Sequence, residues 1–441
     1  MVKVTVIIPS LNVALYINEC VQSVMHQTLK DIEILCIDAG STDGTREQLA
    51  ALAQTDSRIR IIESEIRSYG YQVNLGLEQA RGQYIGIVES DDYIDEDMFA
   101  HLYQLAERFS ADVAKADTYL LRKNGDKRIR HTLSGKLSDF YLRRVANTDL
   151  LQLHVIDENL WNGLYKRSAI FEKGIRLNTS RGAAYQDIGF QQQIHMLASS
   201  FVYSSKPVYY YRMDREGSST NMPGWLQYVL QESQFLEHIC PQHSHEWMVH
   251  RKAIHARLAN CFSVELERTL ASNNFLWDSA DWLGSYHLLK KMIIGWMDAS
   301  DIDMTLLTAR QQANVKAALE SLESYSDLIK ARIQINASKR DLVLNTVSDH
   351  QCIVFGAGRW GHSVAEMLTA YHKRIIAYSD NNQALWHTSI DDIEVLPPCE
   401  AVRMASDVVF VVANKEHGNE IIQQLRQLDI PPERIVSYTV V

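Results

Sequence analysis

The feature that most constrains this chain is an alternation of strand and helix signals through residues 4–121, with a polar motif at the end of successive strands. Residues 4–8 form a short β-branched run that ends in Pro9-Ser10-Leu11-Asn12. A helical pattern over 14–27 turns Leu15, Cys20, Val21 and Val24 to one face. The spacing then predicts strands at 32–37, 59–62, 84–88 and 113–121, separated by helices at 46–53, 72–80 and 98–109. Such a series implies an α/β fold with parallel strands and crossover helices, whose ligands gather at the carboxyl ends of the strands.

Those ends carry acids. Strand 84–88 runs into Glu89-Ser90-Asp91-Asp92, and three carboxylates in four residues repel one another unless a cation neutralises them. A hard divalent ion shared with substrate phosphates does this, whereas capping the next helix requires only one acid. Strand 32–37 ends in Asp38-Ala39-Gly40-Ser41-Thr42-Asp43, where Ser41 or Asp43 suits an N-cap and Asp38, before the turn, is placed to meet a base edge. With Pro9, Ser10 and Asn12 on the first strand, three neighbouring tips point to one crevice.

The remaining chain divides by pattern. Residues 145–222 are mixed and end in a tyrosine-rich strand at 208–211. Residues 225–345 are helical in pattern and poor in Gly and Pro; with no chemical signature they read as packing or homo-oligomerisation helices. From 349 onward, a strand at 352–355 meets Gly356-Ala357-Gly358-Arg359-Trp360-Gly361, and a helix at 362–371 follows. Next comes a strand at 375–379 ending before Asp380, a strand at 408–412 and a helix at 418–428. This is the context of a dinucleotide fingerprint, with Gly356, Gly358, Gly361 and Asp380 as a second nucleotide site. The alternative is a module that keeps the glycines for helix–strand packing alone. The expected domains are therefore 1–222, 223–345 and 346–441.

A formal charge of -10 argues against nucleic acid as the main partner. One stretch, 115–144, opposes that balance with nine Lys or Arg against three acids and interleaved aromatics. It reads either as a solvated face or as a peripheral contact with anionic lipid headgroups or a pyrophosphate-linked acceptor. The six cysteines, Cys20, Cys36, Cys240, Cys261, Cys352 and Cys399, include no C-x-x-C pair, so reduced thiols in the cytoplasm are expected. The apolar run at 4–8 is broken by Pro9 and reads as a buried strand rather than a leader. No apolar run approaches the ~20 residues of a membrane helix, so the expected location is cytoplasmic, including the inner membrane face.

Taken together, IIPSLN (7–12), IDAGSTDGT (37–45), NLGLEQARGQYIGIVESDD (74–92), WNGLYKRS (161–168), YQD (185–187) and YYYR…GSST (209–220) resemble the family 2 glycosyltransferases, which have the GT-A fold. The resemblance covers residues 1–222 and implies a nucleoside-diphosphate sugar donor, Mg2+ or Mn2+, and displacement with inversion at the anomeric carbon. It implies that Asp38 bonds the nucleobase, often a uracil, and that Pro9, Ser10 and Asn12 form the first nucleotide-contacting turn. Asn74, Glu89 and Ser90 fall in the same donor motifs. Asp91 matches the metal-holding acid of the D-x-D element, with Glu89 where the first Asp is usual. Asp187 matches the catalytic base, with Gln186 replacing the Glu that usually precedes it. Val73 stands where an arginine is common, leaving Arg81 or Arg212 to serve the diphosphate, with Ser218, Ser219 and Thr220 reaching it when a loop closes. Trp161, Tyr185 and the tyrosines 209–211 are candidates for an acceptor groove.

The chemistry explains these residue types. A leaving diphosphate needs its growing charge stabilised, and an acceptor hydroxyl needs a carboxylate on the opposite face of the sugar to take its proton. The acceptor expected from the resemblance is a saccharide or lipid-linked saccharide in surface polysaccharide synthesis. Two other readings compete. One is an NAD(P)-dependent oxidoreductase or epimerase working through the C-terminal glycine loop, although no Tyr-x-x-x-Lys element accompanies it. The other is a non-catalytic scaffold that keeps only the fold.

Overall fold

A computed structural model describes all residues except 123–126, 214–225, 278–281, 391, 405–406, 415–416 and 439–441. The chain forms two compact units, Met1–Ser324 and Tyr325–Val441. The sequence suggests boundaries at 222 and 345. The observed division falls elsewhere because the helices after 225 bury their apolar faces within the first unit.

The described strands of the first unit are β1 (Val4–Ser10), β2 (Ile32–Asp38), β3 (Ile59–Glu63), β4 (Tyr84–Ile87), β5 (Tyr93–Ile94), β6 (Val113–Leu121), β7 (Lys127–Arg130), β8 (Arg144–Ala146), β9 (Gly163–Lys166) and β10 (Ser200–Arg212). They form one sheet in the order β3-β2-β1-β4-β9-β6-β10-β5, with β7 on β6 and β8 on β10. The half from β3 to β4 is parallel, as the alternation implies, and β1 and β2 are buried along their whole length. The other half is mixed: β9 lies antiparallel between β4 and β6, and β5 antiparallel to β10. β5 has two residues, and β9 is Gly-Leu-Tyr-Lys with two apolar residues between a glycine and a lysine, so neither leaves a periodic signal in the sequence.

Helices α1 (Ile17–Met25), α2 (Thr45–Thr55), α3 (Tyr69–Gln79) and α4 (Met98–Phe109) are the crossovers, each near its expected position. Helix α3 begins three residues earlier than the pattern predicts, because the Ser68 hydroxyl caps it by accepting the Tyr71 N–H. Close packing sets two glycines: a Cβ at Gly76 would lie 2.6 Å from Ile7 on β1, and one at Gly86 2.6 Å from Phe99 on α4. After the short α5 (Leu153–Ile156) and α6 (Arg167–Glu172), α7 (Gln186–Leu197) is the buried centre of the unit. Against it pack α8 (Leu226–Ile239) and α9 (Ser244–Ser272), followed by α10 (Leu283–Asp298) and α11 (Ala309–Glu320). Val229, Leu236, Leu258, Phe262 and Leu266 are fully or almost fully buried, which gives the helical pattern of this segment a packing origin. Burying such a side chain contributes roughly 1.5–3 kcal/mol.

The second unit contains most of α12 (Leu322–Val347), then β11 (Gln351–Phe355), α13 (Arg359–Ala370), β12 (Ile375–Ser379), β13 (Ser389–Ile390), β14 (Ile393–Leu396), α14 (Pro398–Ala401), β15 (Val408–Val412), α15 (Gly418–Gln427) and β16 (Ile435–Ser437). Its described sheet runs β13-β14-β12-β11-β15-β16, parallel except at the β13–β14 hairpin. One face packs Val343 and Val347 of α12 with Val364 and Leu368 of α13; the other packs Ile421 and Leu425 of α15. The strand order changes direction at β11, between β12 and β15.

Candidate functional site

The carboxyl ends of β1, β2 and β4 meet in the first unit, as the sequence implies, and the first two are tied into one turn system. Asp38 is 1% exposed. Its Oδ1 accepts the backbone N–H groups of Gly40 (3.0 Å) and Ser41 (2.9 Å), and its Oδ2 accepts the hydroxyls of Ser10 (3.2 Å) and Ser41. Four donors fill the roughly four lone-pair positions of a carboxylate. Asp38 therefore shapes the turn from within, at the tip of β2. Asn12, with φ 52°, accepts the Thr42 N–H and donates its own N–H to Ser41. Gln72, beneath, donates to the carbonyls of Ser10 and Ile37. The lip above Gly40 is lined by the exposed Arg67, which donates to the Gly40 carbonyl at 3.2 Å.

The acidic strand end separates into three roles. Asp92 is buried and anchored: it accepts the Tyr209 hydroxyl (3.0 Å) and the Arg212 N–H (2.8 Å). Burial, with Asp91 beside it, pushes the Asp92 carboxyl well above the ordinary range. Tyr209 also accepts the Glu89 N–H at 3.0 Å, so one phenol from β10 fixes the whole bend. Glu89 accepts the Tyr69 hydroxyl at 2.6 Å from the first turn of α3. Asp91 is partly exposed, and its carbonyl accepts the Arg212 guanidinium, which also pairs with Glu19 and lies over the rings of Tyr16 and Tyr93. Ser90 is buried between the two acids.

Asp187 is near enough to Tyr69, the hydrogen-bond partner of Glu89, for its charge to raise that phenol. It lies in the first turn of α7, half-buried, with the N–H groups of Asp187 and Ile188 bonded to its carboxylate. Burial raises its pKa, Arg257 lowers it and Glu158 raises it. For Tyr69, burial, the Glu89 contact and the Asp187 charge all act in the same direction. Arg257, 6% exposed on α9, is paired with Glu158 at 2.8 Å, and Glu158 with Arg130 at 2.8 Å. A connecting segment, 177–182, holds α7 against α3. Asn74 exchanges two hydrogen bonds with the Leu177 backbone (2.9 and 3.0 Å), Tyr69 N–H donates to Gly182, and Gln186 Nε2 donates to Ser180.

Several expected residues have other positions. Asn74 staples α3 to Leu177, with its side-chain amide engaged on both sides. Arg81 precedes β4 and lies at the amino ends of the strands, where its N–H donates to Glu33 and Thr5; it is at the opposite edge from the crevice. Val73 is fully buried. Tyr185 takes a left-handed φ of 65°, and its hydroxyl donates to Glu265 on α9. Trp161 stacks on Tyr209 at 4.2 Å and Tyr211 at 5.3 Å and is 8% exposed, a wall of the crevice rather than an open platform. Pro9 is buried at the end of β1. Ser218, Ser219 and Thr220 lie outside the described residues.

The basic stretch is likewise partly internal. Lys115 is 0% exposed and paired with Asp157, whose carboxyl also meets His195 and Tyr203. Burial alone would raise the Asp157 carboxyl, but Lys115 and His195 hold it down at about 2. Lys127 lies over the rings of Tyr119 and Tyr210. Among the described residues no helix is long and apolar enough to cross a membrane. The described cysteines carry free thiols, five of them buried.

In the second unit the glycine loop sits where expected, and packing accounts for two of its three glycines. Gly356 has φ 116°, and a Cβ there would lie 2.7 Å from the Ala413 carbonyl. A Cβ at Gly361 would lie 1.6 Å from the Gly356 carbonyl, whereas one at Gly358 would meet nothing. Asp380 turns into the loop: Oδ2 accepts the Ala357 N–H at 2.7 Å and Oδ1 the Asn382 N–H at 2.8 Å. A cavity of about 390 Å³ remains at these strand ends, lined by Gly356, Asp380, Asn414, His417 and Glu420 among others.

A divalent ion is implied by the resemblance, and the donor set can be tested for it. Among the described residues no three His, Cys, Asp or Glu side chains form a cage. A magnesium-type ion does not need one, since it binds through one or two carboxylates and shares the rest of its shell with substrate phosphates and water. Asp91, partly exposed and next to Glu89 at the mouth of β4, is such a carboxylate. The residues present fit the ion.

Comparison with known proteins accords with this geometry. Residues 5–171 match glycosyl transferase family 2, and residues 348–436 match C2185-like, N-terminal. The chain is 31% identical over 224 residues to glycosyltransferase GlyA of Streptococcus pneumoniae, covering 49% of this chain and 31% of that one. It is 30% identical over 225 residues to glycosyltransferase GlyG of the same organism, covering 49% of this chain and 72% of GlyG. The match thus spans under a third of GlyA's length. Among solved structures, S. aureus TarS 1–349 in complex with UDP-GlcNAc superimposes with a TM-score of 0.56 at 17% identity, covering 75% of this chain and 92% of that chain; the likeness is one of fold. The mixed sheet is GT-A-like, and a small sheet-containing α/β domain follows it. The sequence match, the fold and the coverage of GlyG together place this chain in glycosyl transferase family 2.

Proposed function

We propose that this glycosyltransferase moves a sugar from a uridine-diphosphate sugar to a saccharide or lipid-linked saccharide of a surface polysaccharide, with inversion. The observation that carries the reading is the Tyr69 bridge. Its hydroxyl bonds Glu89, beside Asp91, and lies in the field of Asp187, so the acidic strand end and the α7 carboxylate border one crevice. In this reading the β1 and β2 turns floor the nucleotide pocket, with Ser10, Asn12 and the Gly40 backbone next to it and Arg67 at its lip.

Asp91 and, through its longer reach, Glu89 would hold Mg2+ or Mn2+, which supplies charge stabilisation to the departing diphosphate. Arg212, fixed over Tyr16 and Tyr93, adds a permanent cation on the same side. Asp187 takes the proton of the acceptor hydroxyl. Burial makes its carboxylate a stronger proton acceptor, and Arg257 offsets part of that shift so the ionised form persists. Trp161 and Tyr211 wall the acceptor side and exclude water from it.

The test is a thermal-shift screen of nucleoside-diphosphate sugars with and without Mn2+. A donor at 100-fold over its dissociation constant stabilises by about 2.7 kcal/mol, enough to rank uridine against guanosine donors. Equal shifts with every nucleotide, with or without the ion, would end the proposal.

A further inference from the structure

Glu232, on α8 and 1% exposed, is a buried carboxyl group that nothing above employs. Its Oε2 accepts Asn178 Nδ2 at 3.1 Å, while its Oε1 is buried with no hydrogen-bond partner among the described residues. Its seat is cut into α7: a Cβ on Gly189 would lie 1.5 Å from Oε1 and 2.6 Å from the carboxyl carbon. Only glycine at 189 admits the group. Gly189 is two residues from Asp187 on the first turns of α7, and Asn178 belongs to the segment that staples α7 to α3. Glu232 thus touches both supports of Asp187.

We propose that Glu232 is a positioning residue for the transfer: seated on Gly189 and bonded to Asn178, it fixes the first turn of α7 and so aims the Asp187 carboxylate at the crevice. This deepens the sugar-transfer reading and rests on it. The group does its work as a neutral acid. An ionised carboxylate there would have one amide donor, no cation in salt-bridge reach among the described residues, and a second carboxylate nearby. Burial, opposed by the Asn178 bond and reinforced by the Asp187 charge, raises it to about 8. The titratable groups it interacts with are Asp187 of α7 and the Cys240 thiol just beyond α8. Helices α9 and α10 also pack on α8, and among the described residues none of their charged groups bears on it.

Glu232→Gln and Glu232→Ala separate shape from charge. Glutamine keeps the volume and the Asn178 acceptor but cannot ionise. It is expected to keep kcat within about threefold at pH 7 and to lack the alkaline fall above about pH 8 that is expected of the wild type. Alanine is expected to lower kcat by about tenfold or more with the donor KM unchanged, and to speed amide exchange over 186–189. The melting temperature supplies a reading independent of turnover. A raised carboxyl contributes stability that is full below its ordinary value of 4.5 and lost as pH rises to about 8, so the advantage of Glu232→Gln should grow across that window and then level.

An alkaline fall identical in Glu232→Gln and wild type overturns the proposal, as does a glutamine variant as inactive as alanine. Unchanged amide exchange in Glu232→Ala does so too. Failure of every nucleotide sugar to support turnover would instead sink the sugar-transfer reading, and exchange and melting would then decide the role of Glu232 alone.

Discussion

The two units solve the same geometric problem in opposite ways. Each has parallel strands, a glycine-containing turn at a strand tip and an acid beside it. In the first unit groups from different elements are linked: the Arg212 guanidinium of β10 donates to the Asp91 carbonyl, and Tyr69 bonds Glu89 within the field of Asp187 on α7. In the second, Asp380 folds back and accepts the Ala357 N–H, the very donor a bound phosphate would use at a helix start. The difference teaches that an acid at a strand tip is informative only once its acceptor positions are traced. The same lesson applies within the first unit, where Asp38 is filled by internal donors and Asp91 is not buried.

The comparison can be broken most sharply at Asp187. Asp187→Asn should lower kcat by roughly 10²–10⁴-fold while the thermal shift given by the donor survives, because the base acts only in the chemical step. In the wild type, kcat should fall as pH drops through the raised Asp187 pKa, a limb absent from the residual activity of the variant. Retained turnover in Asp187→Asn would remove the crevice from the mechanism. Next in size, Asp91→Ala should abolish the Mn2+-dependent part of the donor's thermal shift and lower kcat/KM by about 10²–10³-fold. An unaltered ion dependence would mean that the metal is held elsewhere.

Two changes in the second unit sharpen the contrast. Gly361→Ala places a methyl group 1.6 Å from the Gly356 carbonyl and should destabilise that unit by about 1–3 kcal/mol, read as an earlier melting transition with transfer unaffected. The smallest effect belongs to Asp380→Asn. An amide keeps one acceptor for the loop, so a loss of about 1 kcal/mol is expected and no change in donor binding. Loss of transfer in either variant would show that the second unit takes part in the reaction.

Much of this was legible in the sequence, for identifiable reasons. Hydrophobic periodicity placed β1 and β2 and the crossover helices within a few residues, since buried parallel strands leave continuous apolar runs; β4 and β6 lie at their expected positions too. It failed for β5, which has two residues, and for β9, whose two apolar residues lie between a glycine and a lysine. The direction of each strand is legible as well. Arg81 precedes β4, which fixes it at the amino ends of the strands. What pattern could not convey was how acceptors are occupied. Asp38 and Asn74 sit in motifs that resemble donor contacts, yet both are engaged by the backbone around them. Tyr69 carried a usable signal, an aromatic directly after the Ser68 cap at a crossover helix start. Glu232 and Arg257 carried none, because an isolated acid or base in a long helical stretch looks solvated until its neighbours are known.

Residues 177–182 are bonded at once to α3, α7 and α8, and this has a consequence for how such catalysts diversify. Under the proposed transfer, substitutions on α8 would reach Asp187 through this segment without crossing the turns at the ends of β1 and β2. Acceptor preference would then be free to drift through the add-on helices while nucleotide recognition is inherited intact. A chimera that exchanges these helices should be cut after residue 324, because a graft at 222 severs the joint that aligns the two halves of the reaction.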